Sequence, residues 1–297
     1  MKHQTTSFQS RMINKSLKKM IHGLFSDGLK LEKLRKDDFP EPGPLARKRC
    51  HIEKIETEEF SGHWIYPKKK DYGKTILYCH GGAYVSGPSL LHWRVLSHIA
   101  LSGNYRILMI NYPKAPEHPY PAALNAVYSA YRHLLENTVS DDIILMGDSA
   151  GGGLALALSM KLRDDNQSLP SRQILLSPWL NLAMDNEDTP KQSELDNMLA
   201  LPGLADAAGF YRGKEDPRHP YISPLFGSLE GLPPTLLMIG TLDLLLPDCR
   251  DFRSKAEAAS LDLTYEEWDD MFHVWMLNIP YIPEASEAVS RILDWLN

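Results

Sequence analysis

Residues 144–154 read ILMGDSAGGGL: an apolar run, an acidic residue and a serine, then glycines opening a second apolar stretch. Glycine-rich turns between a strand and a helix serve two chemistries. They cradle phosphates with backbone amides, or they present a reactive serine. The phosphate loop G-x-x-x-x-G-K-[ST] fails here. Gly147 and Gly152 have the spacing, but Gly153 and Leu154 stand where Lys and Ser or Thr are needed. The dinucleotide pattern G-x-G-x-x-G fails as well, because residues 148–150 are Asp-Ser-Ala. The pattern G-x-S-x-G does fit, as Gly147-Asp148-Ser149-Ala150-Gly151. A β-rich run precedes it and a helical pattern follows, which is the context a serine nucleophile requires. Its spacing has a steric cause: strand and helix close on each other around the serine, so the residues two places either side must lack a Cβ. Gly152 and Gly153 are expected to let the following helix pack closely.

Around this stretch, short apolar runs alternate with helical patterns. TILYCH (75–80), YRILMINY (105–112), DIILMG (142–147), RQILLSPW (172–179), TLLMIGT (235–241) and LTYEEW (263–268) read as strands. Residues 88–101, 121–137 and 150–165 read as helices between them. The alternation predicts an α/β fold with a mostly parallel sheet flanked by helices on both faces. The more polar 50–67 reads as antiparallel edge strands. Two stretches stand outside the plan. Met12, Ile13, Leu17, Met20, Ile21, Leu24 and Phe25 have helical spacing with lysines between, as a helix packed over the domain or lying on a membrane surface would show. Residues 183–228 interrupt the alternation, and an insertion there is expected over the carboxyl ends of the strands. Read together, 1–45 and 183–228 form one helical cap over a core made of 46–182 and 229–297.

A serine hydroxyl needs a base, and the base needs an acid to orient it. On a nucleophile turn of this kind the order along the chain is Ser, Asp or Glu, then His. Asp243 directly follows TLLMIGT, and His273 follows LTYEEW. The other histidine after the serine, His219, lies in the presumed cap with a loop-surface role. LDLLLPD also offers Asp248, which reads as a helix N-cap with Asp251 at the third position. Asp269 and Asp270 read as solvated turn residues. Negative charge developing on a carbonyl oxygen needs backbone N–H donors. Gly81 and Gly82 in YCHGGAYVSG (78–87), with the amide of Ala150, are the expected set, and His80 is expected to orient their loop.

Together HGGAY (80–84), NYPKAPEHPYPAAL (111–124), GDSAGG (147–152), Asp243 and His273 resemble the hormone-sensitive-lipase-like family of α/β-hydrolases over roughly residues 60–295. The resemblance implies the α/β-hydrolase fold with an N-terminal helical cap and carboxylesterase or lipase activity. It implies Ser149, Asp243 and His273 as a triad, and Gly81, Gly82 and Ala150 as the oxyanion hole. It also implies a monomer or homodimer. The sequence departs from the family in two places. Ala83 stands where a third glycine is common. Asn111-Tyr112-Pro113-Lys114 replaces the commoner Asp-Tyr-Arg-Leu, which puts a local salt bridge in doubt. Glu117 and His118 are expected to anchor that loop.

Composition bounds the chemistry further. The 297 residues, 43% hydrophobic with a net charge of -6, suit one large domain or a domain with a cap and carry no basic footprint for nucleic acid. No apolar run approaches the roughly eighteen residues of a spanning helix, so stable membrane insertion is not expected. Cys50, Cys79 and Cys249 form no spaced pair, which fits a reduced, cytoplasmic protein. No metal or cofactor motif occurs. The expected substrate is a small ester with a short acyl chain, because the bulky Tyr84, Trp179 and Trp275 lie near the serine in sequence, core packing being the alternative for them. An amidase or peptidase on the same triad, an inactive ligand-binding relative and a membrane-surface lipase are the competing readings.

Overall fold

The computed structural model describes residues 6–68 and 73–297. One eight-stranded sheet runs through it: β1 (His51–Glu56), β2 (Ser61–Tyr66), β3 (Thr75–Cys79), β4 (Arg106–Ile110), β5 (Ile143–Asp148), β6 (Arg172–Leu176), β7 (Thr235–Gly240) and β8 (Leu263–Trp268). Spatial order is β1-β2-β4-β3-β5-β6-β7-β8. The β1–β2 and β2–β4 pairings are antiparallel, and every other pairing is parallel. The two ends of the sheet differ from its middle for a solvation reason. Strands β3, β5 and β7 are buried at every residue and are accordingly continuous apolar runs, whereas β1 is largely exposed and alternates polar residues.

Alternate residues along each strand feed two separate cores. Leu77, Leu145, Leu175 and Leu237 face one, with the helices Ala122–Leu135, Ala150–Asp164 and Leu246–Ala258. Ile76, Ile144, Ile174 and Leu236 face the other, with Leu90–Gly103 and Pro283–Leu296. The helix at Leu90 begins at a capping box, in which Ser89 and His92 exchange hydrogen bonds.

The N-terminal helix is Phe8–Met20, starting earlier and ending sooner than the apolar spacing suggests. Ser7 caps it, and beyond Met20 the chain turns so that Phe25 is buried. The helix lays Ser10, Ile13 and Leu17 on the domain and leaves Phe8, Met12 and Met20 exposed. Residues 183–228 hold the helices Thr189–Ser193 and Leu201–Arg212. The two outlying stretches touch: Gly203 N–H donates to the Phe25 carbonyl at 2.9 Å, and Leu29 N–H to Asp206 at 2.8 Å. Gln192 Nε2 donates to the Thr241 carbonyl at 2.9 Å, which seats the insertion on the carboxyl end of β7.

Candidate active site

Four turns bring chemistry to one end of the sheet. Those after β3, β5, β7 and β8 carry residues 80–87, Ser149, Asp243 and His273, and all four strands are parallel. Ser149 occupies φ 53°, ψ -123°, a conformation that costs an L-residue about 1–3 kcal/mol unless its surroundings enforce it. They do. Its N–H donates to the Leu176 carbonyl at 2.8 Å, and its carbonyl accepts from Gly152, Gly153 and Trp179. A Cβ on Gly147 would collide with the Gly151 carbonyl, and one on Gly151 with the carbonyls of Cys79 and His80. Both positions therefore admit only glycine.

Ser149 Oγ lies 2.8 Å from His273 Nε2, and His273 Nδ1 lies 2.8 Å from Asp243 Oδ2. Asp243 is 0% exposed and His273 2%, so the pair interacts away from solvent. The second oxygen of Asp243 accepts the Leu245 amide at 3.0 Å. A carboxylate partner places the Nδ1 proton on His273 and leaves Nε2 free to accept from the serine. Backbone pairing fixes the two turns against each other: Thr241 N–H donates to Trp268 O and Leu242 N–H to Met271 O, both at 3.0 Å. Burial works against the imidazolium, yet the charge and hydrogen bond of Asp243, with further help from Asp196 and Asp148, raise His273 above its ordinary value.

Asp248 does not meet the histidine. It lies in the first turn of Leu246–Ala258, where Leu245 is the N-cap, so the capping role expected for it is not found. Its buried carboxyl accepts instead from Asn181 Nδ2 at 3.2 Å, and burial pushes it up to about 6. Asp269 and Asp270 are exposed, and His219 lies among Tyr120 and Tyr221.

The loop after β3 is held by a charged hub. Asp148, beside the serine, accepts from Tyr78 Oη at 2.7 Å and Gly81 N–H at 2.8 Å, and its two oxygens lie 3.2 Å from His92 Nε2. His92 Nδ1 accepts the Ser89 amide, so the ring proton sits on Nε2 and points at Asp148. Burial would raise this carboxyl; His92, Tyr78 and Gly81 outweigh it and hold Asp148 below the ordinary aspartate range. Gly81 is thus a departure from the expected donor set, because its amide is already engaged. A Cβ there would strike the Asp148 carboxylate, which is why the position is glycine. The amides of Gly82, Ala83 and Ala150 have no acceptor among the described residues. His80 donates from Nδ1 to the Gly81 carbonyl and stacks on Tyr112, and burial holds the ring well below the ordinary histidine value, so it is neutral.

Two residues bracing this loop escaped the sequence reading. Arg35 Nε donates to the Val85 carbonyl, while its two Nη atoms grip Glu117 at 2.7 Å each and reach the Ala115 carbonyl. That grip holds Glu117 down at about 2. Asp38 accepts from Ser86 Oγ at 2.7 Å and the Gly87 amide at 2.6 Å. Arg35 opens a single 3₁₀ turn and Asp38 follows it, in a stretch without periodicity where nothing distinguishes a brace from a solvated charge. Lys114 and Asn111, at the positions that depart from the family, bond each other at 2.6 Å.

The three aromatics separate. Tyr84 stacks on Tyr211 of the 183–228 stretch with ring centroids 3.7 Å apart, and Trp179 lies 6.1 Å from Tyr84. Trp275 is a correction. Val274 adopts the left-handed conformation, and Trp275 is wholly buried in the core of Ile144 and Leu176, 5.5 Å from Trp268. It packs the opposite face of the sheet from Tyr84 and Trp179. Among the described residues, no group of three His, Cys, Asp or Glu side chains could hold a metal ion.

The parallel sheet with a strained serine on its turn is the architecture of an α/β-hydrolase, and the relatives and solved structures below make it a carboxylic ester hydrolase. The chain belongs to the alpha/beta hydrolase fold family, whose profile matches residues 76–277, and within it to the hormone-sensitive-lipase-like carboxylesterases. An acetyl-hydrolase from Streptomyces hygroscopicus is 37% identical over 230 residues, 77% of each chain. An esterase from Acinetobacter venetianus is 35% identical over 222 residues, 74% of this chain and 73% of its own. A solved esterase of the bacterial hormone-sensitive lipase family superposes with a TM-score of 0.88 at 31% identity, covering 99% of this chain and 98% of its own. The esterase EstE5, soaked with p-nitrophenyl butyrate, gives 0.88 at 32% identity with 97% of each chain covered.

Proposed function

We propose that the protein hydrolyses short-chain acyl esters by two-step acyl transfer on Ser149. The observation that carries this reading is the unbroken chain Ser149–His273–Asp243, with both contacts at 2.8 Å. Ser149 Oγ attacks the ester carbonyl while His273 Nε2 takes its proton, and Asp243 stabilises the imidazolium. The C–O bond to the leaving group then breaks, and His273 returns the proton to the departing alkoxide. Water repeats the sequence on the acyl-enzyme and releases the acid.

The oxyanion is received by the amides of Gly82 and Ala150, joined by Ala83. What supports this set is that all three lack an acceptor among the described residues and that Gly82 and Ala83 have φ of 124° and 53°. Successive residues in such conformations can turn their N–H groups toward one anion. Gly81 acts one step back, through Asp148.

A short acyl group is favoured because Tyr84, Tyr211 and Trp179 form a buried aromatic cluster, with Tyr84 and Trp179 against Gly153 of the helix Ala150–Asp164. The acetyl-hydrolase name of one relative and the butyrate ester soaked into EstE5 agree in scale. A reduced, cytoplasmic setting fits three cysteines that are all buried and unpaired.

The test is an acyl series from p-nitrophenyl acetate to palmitate with wild type and Ser149→Ala. Wild type is expected to have its highest kcat/KM on acetate or butyrate, and Ser149→Ala to lose about 10⁶-fold in kcat. A palmitate preference refutes the chain-length reading. An active Ser149→Ala refutes the mechanism.

A further inference from the structure

The turn carrying Asp243 holds a second carboxylate. Asp196, in the 183–228 stretch, is 3% exposed and makes no ion pair with any Lys or Arg among the described residues. Its Oδ1 accepts from the Met198 and Leu199 amides at 2.6 and 2.9 Å, which closes its own turn. Its Oδ2 leaves that turn and accepts the Leu244 amide at 2.8 Å. Neighbouring amides of one turn therefore serve different acids: Leu244 holds Asp196, and Leu245 holds Asp243.

We propose that Asp196 is a positioning residue for the ester hydrolysis, tying the cap to the acid-bearing turn and setting the charge felt by His273. This rests on the triad reading above. Three carboxylates act on the His273 ring: Asp243 from the turn after β7, Asp196 from the cap and Asp148 from the last position of β5. The groups acting on Asp196 are Asp243, which opposes its ionisation, and His273, which favours it. Burial and Asp243 push Asp196 up to about 6, while His273 and the Leu199 and Leu244 amides pull the other way. Above that value its charge adds to that of Asp243 in stabilising the imidazolium formed as Ser149 attacks. No hydrolase chemistry requires this second acid, but the geometry holds both acids on adjacent amides of one turn.

The experiment compares pH profiles of kcat/KM on p-nitrophenyl acetate for wild type, Asp196→Asn, Asp196→Ser and Asp196→Glu. Removing a negative charge near His273 lowers its proton affinity. The acid limb is thus expected to move down by about one pH unit in Asp196→Asn, with kcat on the alkaline plateau falling about tenfold and KM unchanged. Asp196→Ser, smaller and neutral, is the second variant should the asparagine not fold, and it is expected to shift the limb in the same direction. Asp196→Glu keeps the charge and is expected to leave the limb in place. Neutral variants whose acid limb coincides with wild type, whatever their stability, would overturn the proposal. Loss of the triad reading shows separately, as full activity in Ser149→Ala.

Discussion

The two halves of the site are held in different ways. The proposed acid and base sit on turns zipped together by backbone bonds, Thr241 to Trp268 and Leu242 to Met271, directly at the ends of paired strands. The loop proposed to receive the oxyanion is held by charged side chains from elsewhere: Asp148 from the end of β5, and Arg35 and Asp38 from the N-terminal segment. Backbone zippers fix position whatever side chains surround them. Charged braces fix position only while each partner is present and correctly protonated. The first half should therefore fail steeply when a reacting group is changed and more mildly when Asp196, tied to the acid-bearing turn, is changed, and the second should fail by degrees.

The largest effect short of deleting the serine tests the first half. Asp243→Asn is expected to lower kcat about 10⁴-fold, as replacement of an orienting acid does in other triads, while Asp248→Asn stays within about threefold. Equal losses in both variants would contradict the assignment of the acid. In the second half, Asp148→Asn removes the charged acceptor of Gly81 and His92. A fall of about tenfold to a hundredfold in kcat is expected, smaller than the loss of an oxyanion donor itself because the amides remain. Kinetics indistinguishable from wild type would show that the loop holds without its hub.

Much of this arrangement was legible in the sequence, and for a physical reason. Parallel strands buried on both faces must be apolar runs, so β3 to β7 announce themselves, whereas the edge strand β8, LTYEEW, is only half-buried and reads less plainly. The glycines at 147 and 151 are equally readable, because only a missing Cβ clears the Cys79 and Gly151 carbonyls. Asp196 was not readable, since QSELDNMLA offers no period and nothing marks one acid as buried. Arg35 and Asp38 were hidden in the same way. Trp275 misled by nearness to His273 in sequence, because one left-handed residue, Val274, sends it to the far face. Gly81 misled too: the glycine is there to admit Asp148 as well as to present a loop.

Two smaller effects sharpen the comparison. The raised proton affinity of His273 means that kcat/KM should climb with pH through a value above 6.5, since the base must be neutral in the free enzyme. An acid limb below that value would contradict the summed influence of Asp243, Asp196 and Asp148. Arg35→Met keeps the aliphatic stem and deletes the bonds to Val85, Ala115 and Glu117. It is expected to cost about 1–2 kcal/mol, a fall in Tm of a few degrees, with kcat reduced less than in Asp148→Asn. An unchanged Tm would place the brace among the exposed ion pairs that contribute little.

The central claim is that Ser149 is the residue acylated, and covalent capture tests it most directly. The protein treated with a sulfonyl fluoride or a p-nitrophenyl phosphonate should take up one equivalent, lose esterase activity in step, and carry the added mass on the peptide containing Gly147–Gly151. Asp243→Asn should react far more slowly at the same position. Activity lost with the mass on another residue, or full labelling with activity retained, would contradict the account.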